Sequence, residues 1–289
     1  MSNILVSVII PSFNHELYIS QAIETVMNQT YRNIELIVID DGSNDSSVLL
    51  LEKLQLQYGF ILKTQENHGL AYTLNRGINL SNGQYISLCA SDDYWKLDKI
   101  EKQIKYMEQN TNIPMCYGKA IVVDEFNNIN KKETMIINKN LKGGSIFKDI
   151  ILINIHLPVN YMYRASVFRE IGAFDEDIFT EDFYMNLKIS SRFEVGFVNE
   201  YLSYYRYLNN ESKLKSMNIV NSHLTCINMY KGNRYYSKAI RRYHFRILNW
   251  FSGYRKYKLL AISSIIKAFD FDIIPALLKN ILKLLIVWK

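Results

Sequence analysis

Two acidic runs stand out among the residues able to do chemistry, Asp40-Asp41-Gly42-Ser43 and Ser91-Asp92-Asp93. Each follows a run that reads as a strand, Ile34 to Ile39 for the first and Gln84 to Cys89 for the second. Taken singly, either reads as an ordinary turn, since Asp and Gly are common wherever a sheet surfaces. Taken together, they bring uncompensated carboxylates to one sheet edge, where they repel unless a cation or donor groups offset them. A divalent ion bridging a diphosphate supplies that offset, because Mg²⁺ or Mn²⁺ takes one or two carboxylates plus phosphate oxygens. A third pair, Glu181-Asp182 after Thr180, precedes a helical pattern and reads locally as a cap or first-turn acid.

The elements that must position these residues follow from periodicity. Ile4 to Ile10 and Ile34 to Ile39 are near-continuous apolar runs, as expected of strands buried on both faces. Between them Leu17, Ala22, Ile23, Val26 and Met27 recur at helical spacing, with Asn14 as the expected cap. Further helices are expected over Ser46–Gln57, Leu70–Leu80 and Leu97–Gln109, and further strands over Phe60–Thr64 and Gln84–Cys89. Beyond these, β-like runs fall at Met115–Val123, Tyr161–Tyr163, Phe193–Val198 and Leu202–Tyr207, and helical patterns near Ile146–Ile153 and Asp182–Ser190. The alternation is the signature of βαβ units feeding a mainly parallel sheet, an α/β fold flanked by helices. Ligands of such sheets collect beyond the carboxyl ends of the strands. Pro11-Ser12-Phe13-Asn14, Asp40 to Ser43 and Ser91 to Asp93 should therefore face one crevice.

With 289 residues, 48% of them hydrophobic and 21% charged, the chain has ample material for a core. Cys89, Cys116 and Cys226 form neither a disulfide framework nor a zinc pattern, and a reducing cytoplasm fits them best. The opening Met1-Ser2-Asn3 lacks the basic region of a signal peptide. His15, His68, His156, His223 and His244 have no metal-ligand spacing and read as surface or packing residues. No Ser/His/Asp constellation is signalled, and Gly143-Gly144 reads as a turn.

The formal charge of +6 is unevenly spread: residues 213 to 289 hold 15 Lys and Arg against only Asp270 and Asp272, whereas residues 1 to 212 hold 19 bases and 26 acids. We expect a catalytic domain over 1–212, with a ligand half to about 110 and a second half over about 111–212, and a basic helical extension over 213–289. From Pro275 to Lys289 a broad apolar face opposes a narrow polar one of Lys279, Asn280 and Lys283, the pattern of a helix lying on an anionic membrane surface. Packing of these helices against the catalytic domain or a second subunit is the alternative. Basic residues interleaved with aromatics also suit nucleic acid, but this final stretch favours the membrane over it.

Seven ordered motifs resemble the inverting glycosyltransferases of family 2, with the GT-A fold: Val8-Ile9-Ile10-Pro11-Ser12-Phe13-Asn14, Ile37-Val38-Ile39-Asp40-Asp41-Gly42-Ser43, Asn67-His68-Gly69, Gly83-Gln84-Tyr85-Ile86, Ser91-Asp92-Asp93, Gly172-Ala173-Phe174-Asp175 and Thr180-Glu181-Asp182. The resemblance runs from about Val6 to Leu208 and implies a nucleotide-sugar donor, usually a UDP-sugar. It implies that Pro11, Ser12 and Asn14 line the nucleotide pocket, that Asp40 accepts from the base, and that Asn67 lies near the nucleotide or ribose. It further implies that Asp92 binds Mn²⁺ or Mg²⁺ with Asp93 beside it, and that Asp182, supported by Glu181, is the general base. Asp41, His156 and Arg206 are secondary candidates, the last in Tyr204-Tyr205-Arg206, where the family's following His is replaced by Leu208. A second departure is Ala90, which stands where the family carries an aspartate two places before Asp92 and leaves metal dependence open.

The resulting expectation is an inverting transferase moving a sugar to a saccharide hydroxyl, on an acceptor linked to a polyisoprenoid diphosphate, in bacterial surface-polysaccharide assembly. It would sit in the cytoplasm, peripheral to the inner face of the membrane, with no nucleic-acid partner. The competing readings are a non-catalytic, nucleotide- or partner-binding subunit and a nucleotidyltransferase, which would attack phosphorus.

Overall fold

The computed structural model describes residues 4–207, 217–252 and 254–268, together with Leu278, Asn280 and Ile281. Most of the Pro275–Lys289 stretch expected to form an interfacial helix lies outside the described residues. By internal contacts the chain divides into two units, one of residues 1–146, 155–177 and 188–209, the other of residues 147–154, 178–187 and 210–289. Segments 147–154 and 178–187, expected in the catalytic domain, thus group with the C-terminal helices.

The first unit is an α/β layer structure. Its strands are β1 (Val6–Ser12), β2 (Ile34–Asp40), β3 (Ile61–Thr64), β4 (Tyr85–Leu88), β5 (Tyr94–Trp95), β6 (Met115–Val123), β7 (Met162–Arg164) and β8 (Gly196–Arg206). They form one sheet in the order β3-β2-β1-β4-β7-β6-β8-β5. β1 pairs in parallel with β2 and β4, β2 with β3, and β6 with β8, while β7 and β5 pair antiparallel with their neighbours. The two runs expected at Phe193–Val198 and Leu202–Tyr207 are one strand, β8, whose register against β6 shifts around Gly118 and Lys119. The expectation of a mainly parallel sheet flanked by helices is met.

Burial explains the strand compositions. Val6, Val8 and Ile10 on one face of β1 and Ile9 on the other are all fully buried, so both faces are covered by helices. Crossovers α1 (Ile19–Met27), α2 (Ser47–Tyr58) and α3 (Leu70–Leu80) join the first four strands, and α4 (Lys99–Gln109) follows β5. α3 lies so close to β1 that a Cβ on Gly77 would stand 2.4 Å from Ile9 Cγ2, so only glycine fits there. Asn14 does not cap α1, which begins at Ile19 after Tyr18. Its backbone is left-handed, with φ of 53°, and serves a turn that docks on the β2 loop. The short helices α5 (Lys131–Ile137) and α7 (Ser166–Ile171) complete this unit, while α6 (Phe147–Ile151) between them in sequence belongs to the second; α5, α7 and β5 have no clear periodicity to announce them.

In the second unit, the described α-helices are α6, α9 (Met217–Asn228), α10 (Tyr236–Phe251) and α11 (Lys258–Lys267), together with α8 (Glu181–Ser190), whose first seven residues belong here. Tyr243, Ile247, Leu248 and Phe251 of α10 are fully buried. Arg242 donates to Asn154 Oδ1 at 2.6 Å and Arg246 to the Ile153 carbonyl. These aromatics of the mixture are therefore packing groups, and the two arginines hydrogen-bond within the unit, Arg242 at its surface. Among the described residues, no helix is long and apolar enough to cross a membrane.

Beneath the sheet's carboxyl edge lies a polar cluster that no sequence pattern announces. Lys99 is fully buried and donates to Ser87 Oγ and Gln103 Oε1, both at 2.7 Å. Ser87 Oγ donates in turn to the Tyr161 carbonyl, and Gln103 to the Asn160 carbonyl. Burial pushes the Lys99 ammonium down to about 7. Between that value and its ordinary 10.5, the unfolded chain binds a proton that the folded chain does not, so stability rises with pH across this window and falls as pH drops towards 7. Replacing Lys99 by Met should flatten the rise by up to about 1.4 kcal/mol per pH unit. Urea unfolding of both proteins at several pH values, from about 7.5 to about 9.5, measures this, and parallel slopes would refute it.

Candidate active site

The parallel registers Ser12 to Asp40 and Asp40 to Thr64 carry β1, β2 and β3 out at one edge, and β4 beside them ends at Leu88. The loops after these strands therefore meet. Asn14 N donates to Ser43 Oγ at 2.9 Å, and Asn14 Oδ1 accepts from Asn44 N at 2.8 Å. Asp40 is buried and accepts from both the backbone N–H and the hydroxyl of Ser43, at 2.9 and 2.6 Å. Ser12 is also buried, and its hydroxyl makes no hydrogen bond. Pro11 is half-buried, while Asn14 and Asn67 are exposed.

Asp41 has a structural task instead of an open face. Its carboxylate accepts from Gln65 Nε2 at 2.7 Å and from the N–H groups of His68 and Gly69, both at 2.9 Å. It thereby satisfies donors at the start of α3 and ties the Asn67 loop to β2. Gly42 makes the approach possible: its φ is +78°, and a Cβ would stand 2.8 Å from Asn67 N.

The acidic loop is fixed from one side by Arg206. Its N–H donates to Asp93 Oδ1 at 2.8 Å and its Nε to the Asp92 carbonyl at 2.8 Å. The remaining guanidinium nitrogens donate to the Asp124 and Glu125 carbonyls, Gln21 Oε1 and Asn127 Oδ1. The guanidinium also lies 4.3 Å from the Tyr18 ring centroid. Arg206 is 3% exposed, so this secondary candidate is a buried organiser of the loop. Asp93 is buried with it. Desolvation, then the Asp92 charge, holds its carboxyl well above the usual range, partly offset by Arg206.

Asp92 differs from both neighbours. Its side chain keeps 24% exposure and lies 3.9 Å from His15 Nε2. The other ring nitrogen of His15 is 2.7 Å from Ser91 Oγ, and the His15 N–H donates to Ser47 Oγ. In sequence His15 reads as a surface or packing residue; only folding brings it against a loop 76 residues away. The loop thus presents one accessible carboxylate, enough for a divalent ion shared with phosphate oxygens. Among the described residues there is no group of three or more His, Cys, Asp and Glu able to hold an ion without such help.

Glu181 and Asp182 open α8 in the second unit. Phe183 N donates to Asp182 Oδ1 at 2.6 Å, and Thr180 is held through its N–H and hydroxyl to Ser222 Oγ at 2.9 and 2.7 Å. Burial of the Glu181 carboxyl, reinforced by the Asp182 charge, raises it to about 8. Burial and the neighbouring Asp182 charge thus both favour the protonated form of Glu181. His156 is exposed in the first unit.

A family model described as glycosyl transferase family 2 matches residues 7–172. A relative from Haemophilus influenzae, an uncharacterized glycosyltransferase, is 34% identical over 178 residues, 57% of this chain and 53% of the relative. The matched stretch is thus about half the relative's length. Two solved structures share the fold. The S. aureus TarS 1-349 complex with UDP-GlcNAc is similar over 97% of this chain and 88% of that one, with a TM-score of 0.68 at 17% identity. The mannosyltransferase PcManGT from Pyrobaculum calidifontis, in complex with GDP-Man and Mn²⁺, is similar over 99% of this chain and 81% of that one, with a TM-score of 0.66 at 12% identity.

The contrast between the neighbouring acids is measurable. Asp41→Ala orphans two backbone N–H groups and should destabilise the protein by about 1–3 kcal/mol. Asp92→Asn, whose carboxylate holds no backbone donor in place, should stay within about 0.5 kcal/mol of wild type. Chemical denaturation curves compare them, and equal losses would contradict the separation of roles.

Proposed function

The chain belongs to glycosyl transferase family 2, and from that premise we propose that it is an inverting transferase moving a sugar from a nucleoside diphosphate, UDP, to a saccharide hydroxyl. The observation that carries this reading is the contrast within the acidic loop, where Asp93 is buried against Arg206 while Asp92 stays accessible. One open carboxylate beside the Asn14 and Asp40 loops suits a donor whose phosphates bring the remaining ligands of an ion. The nucleotide-sugar complexes of the two fold neighbours support the same donor class.

In this reading Pro11, Ser12 and Asn14 line the nucleotide pocket. The Asp40 carboxylate accepts from the base, and Asn67 approaches the ribose. Asp92 holds Mn²⁺ or Mg²⁺, which neutralises charge developing on the leaving diphosphate when bound. Asp93, kept in place by Arg206, orients the loop beside the sugar. Asp182 takes the proton of the acceptor hydroxyl, so that the oxygen attacks the anomeric carbon from the face opposite the leaving group and inverts it. Glu181 supports it as the buried carboxyl beside it at the start of α8. Positioning and electrostatics supply most of such a displacement.

We further assign the acceptor to lipid-linked saccharides of surface-polysaccharide assembly, met at the inner face of the cytoplasmic membrane. The support is the charge asymmetry, with 15 basic and two acidic residues from 213 onward, and the amphipathic Pro275–Lys289 sequence. A non-catalytic nucleotide-binding subunit is the second reading, favoured by Ala90.

Sugar transfer from a panel of UDP-sugars, with and without Mn²⁺ or Mg²⁺, separates the two, and nucleotide binding without any transfer would leave only the second. Asp182→Asn should lower turnover by at least about 100-fold with UDP binding retained by calorimetry; full activity would remove Asp182 from the mechanism. Deleting residues 275–289 should release the protein from anionic liposomes in co-sedimentation. Unchanged sedimentation would remove the membrane role of that segment.

A further inference from the structure

Resting on the donor site proposed above, we propose that His15 is a protein ligand of the divalent ion at Asp92, its Nε2 standing in for the carboxylate that Ala90 does not provide. Three features of the first unit carry this. The ring is held in place: Nδ1 lies 2.7 Å from Ser91 Oγ, while the His15 carbonyl accepts from the N–H groups of Tyr18 and Ile19, both at 2.9 Å. Metal-binding histidines are fixed in this way, one ring nitrogen hydrogen-bonded to an orienting group and the other left for the ion. With Ser91 Oγ accepting from Nδ1, the lone pair is on Nε2.

That nitrogen faces Asp92. The separation of 3.9 Å between Nε2 and Asp92 Oδ2 is too long for a hydrogen bond. It is a separation that an ion can span, since two bonds of about 2.1 Å reach from about 3.0 Å at a right angle to about 4.2 Å when opposed. Both side chains keep about a quarter of their surface, 25% for His15 and 24% for Asp92, so an ion and its phosphates have access.

The loop is braced for the pair from behind. Arg206 donates to the Asp92 carbonyl and leaves the carboxylate unengaged by its guanidinium. One imidazole and one carboxylate then complete their ion with diphosphate oxygens and water. A nitrogen ligand shifts preference away from Mg²⁺ and towards first-row transition ions, so Mn²⁺ should bind this chain better than Mg²⁺.

The test uses the full chain with MnCl₂ and UDP as probes. Electron spin echo spectroscopy of the Mn²⁺ complex should show coupling to a directly bound imidazole nitrogen in the wild type and lose it in His15→Ala. Mn²⁺ affinity in the presence of UDP should fall on the order of 10-fold to 100-fold in Ser91→Ala, which removes only the orienting partner, and by more in His15→Ala. UDP binding with no nitrogen coupling in the wild type, or coupling that persists in His15→Ala, overturns the ligand assignment and leaves the donor reading standing. Failure of the wild type to bind UDP, followed by calorimetry, overturns both.

Discussion

Adjacent carboxylates at the end of a buried strand repel each other, and the accommodation of Asp92 and Asp93 depends on one guanidinium-bearing residue. Arg206 donates through its backbone to Asp93 and through its side chain to the Asp92 carbonyl, while reaching α1 at Gln21 and the 124–127 loop. It arrives on β8, whose neighbour β5 leads directly out of the acidic loop. The sheet's far edge thus holds the residues that emerge beside its centre. Because both partners are buried, loss of either would leave an uncompensated polar group in a medium that solvates it poorly. The result is a division of labour between neighbouring residues: Asp93 belongs to the scaffold and Asp92 to the solvent side.

At the end of β2 both acids of the pair are buried and held by protein donors. Asp40 and Asp41 are consecutive, yet strand alternation sends them to different partners, Asp40 to Ser43 and Asp41 to the start of α3. Both of these acids hold backbone N–H groups, Asp40 within its own loop and Asp41 across to the Asn67 loop, which lets loops from distant parts of the chain approach closely. Beneath them Lys99 ties β4 to α4 through Ser87 and Gln103. Buried polar groups of this kind are tolerated because they are hydrogen-bonded.

Much of the first four-strand unit is legible in sequence because its signals are local. Apolar runs bounded by polar loops mark β1 to β4, and their parallel pairing places Pro11 to Asn14, Asp40 to Ser43 and Ser91 to Asp93 at one edge. Asn14 escapes such reading because an Asn before a helical pattern looks the same whether it caps or occupies a left-handed turn; Ser43 and Asn44 across the loop make the choice. β5 is only two residues long and owes its existence to β8, far along the chain. The basic, aromatic 235–257 stretch suggests a surface, but packing buries Tyr243 and Phe251, and Arg242 and Arg246 donate to Asn154 and Ile153 of the same unit.

What the sequence determined by itself was the class of fold, the family, and the residue types gathered at the strand ends, since periodicity and ordered motifs are properties of neighbours along the chain. What only the tertiary structure decided was which of those residues remain accessible. Asp41, Asp93 and Arg206 are occupied by protein partners, whereas Asp92 stays open and His15 is turned towards it. The reason is that burial and hydrogen bonding are settled between residues distant in sequence, and two identical side chains side by side in one turn meet opposite environments when a distant residue such as Arg206 fixes how that turn lies.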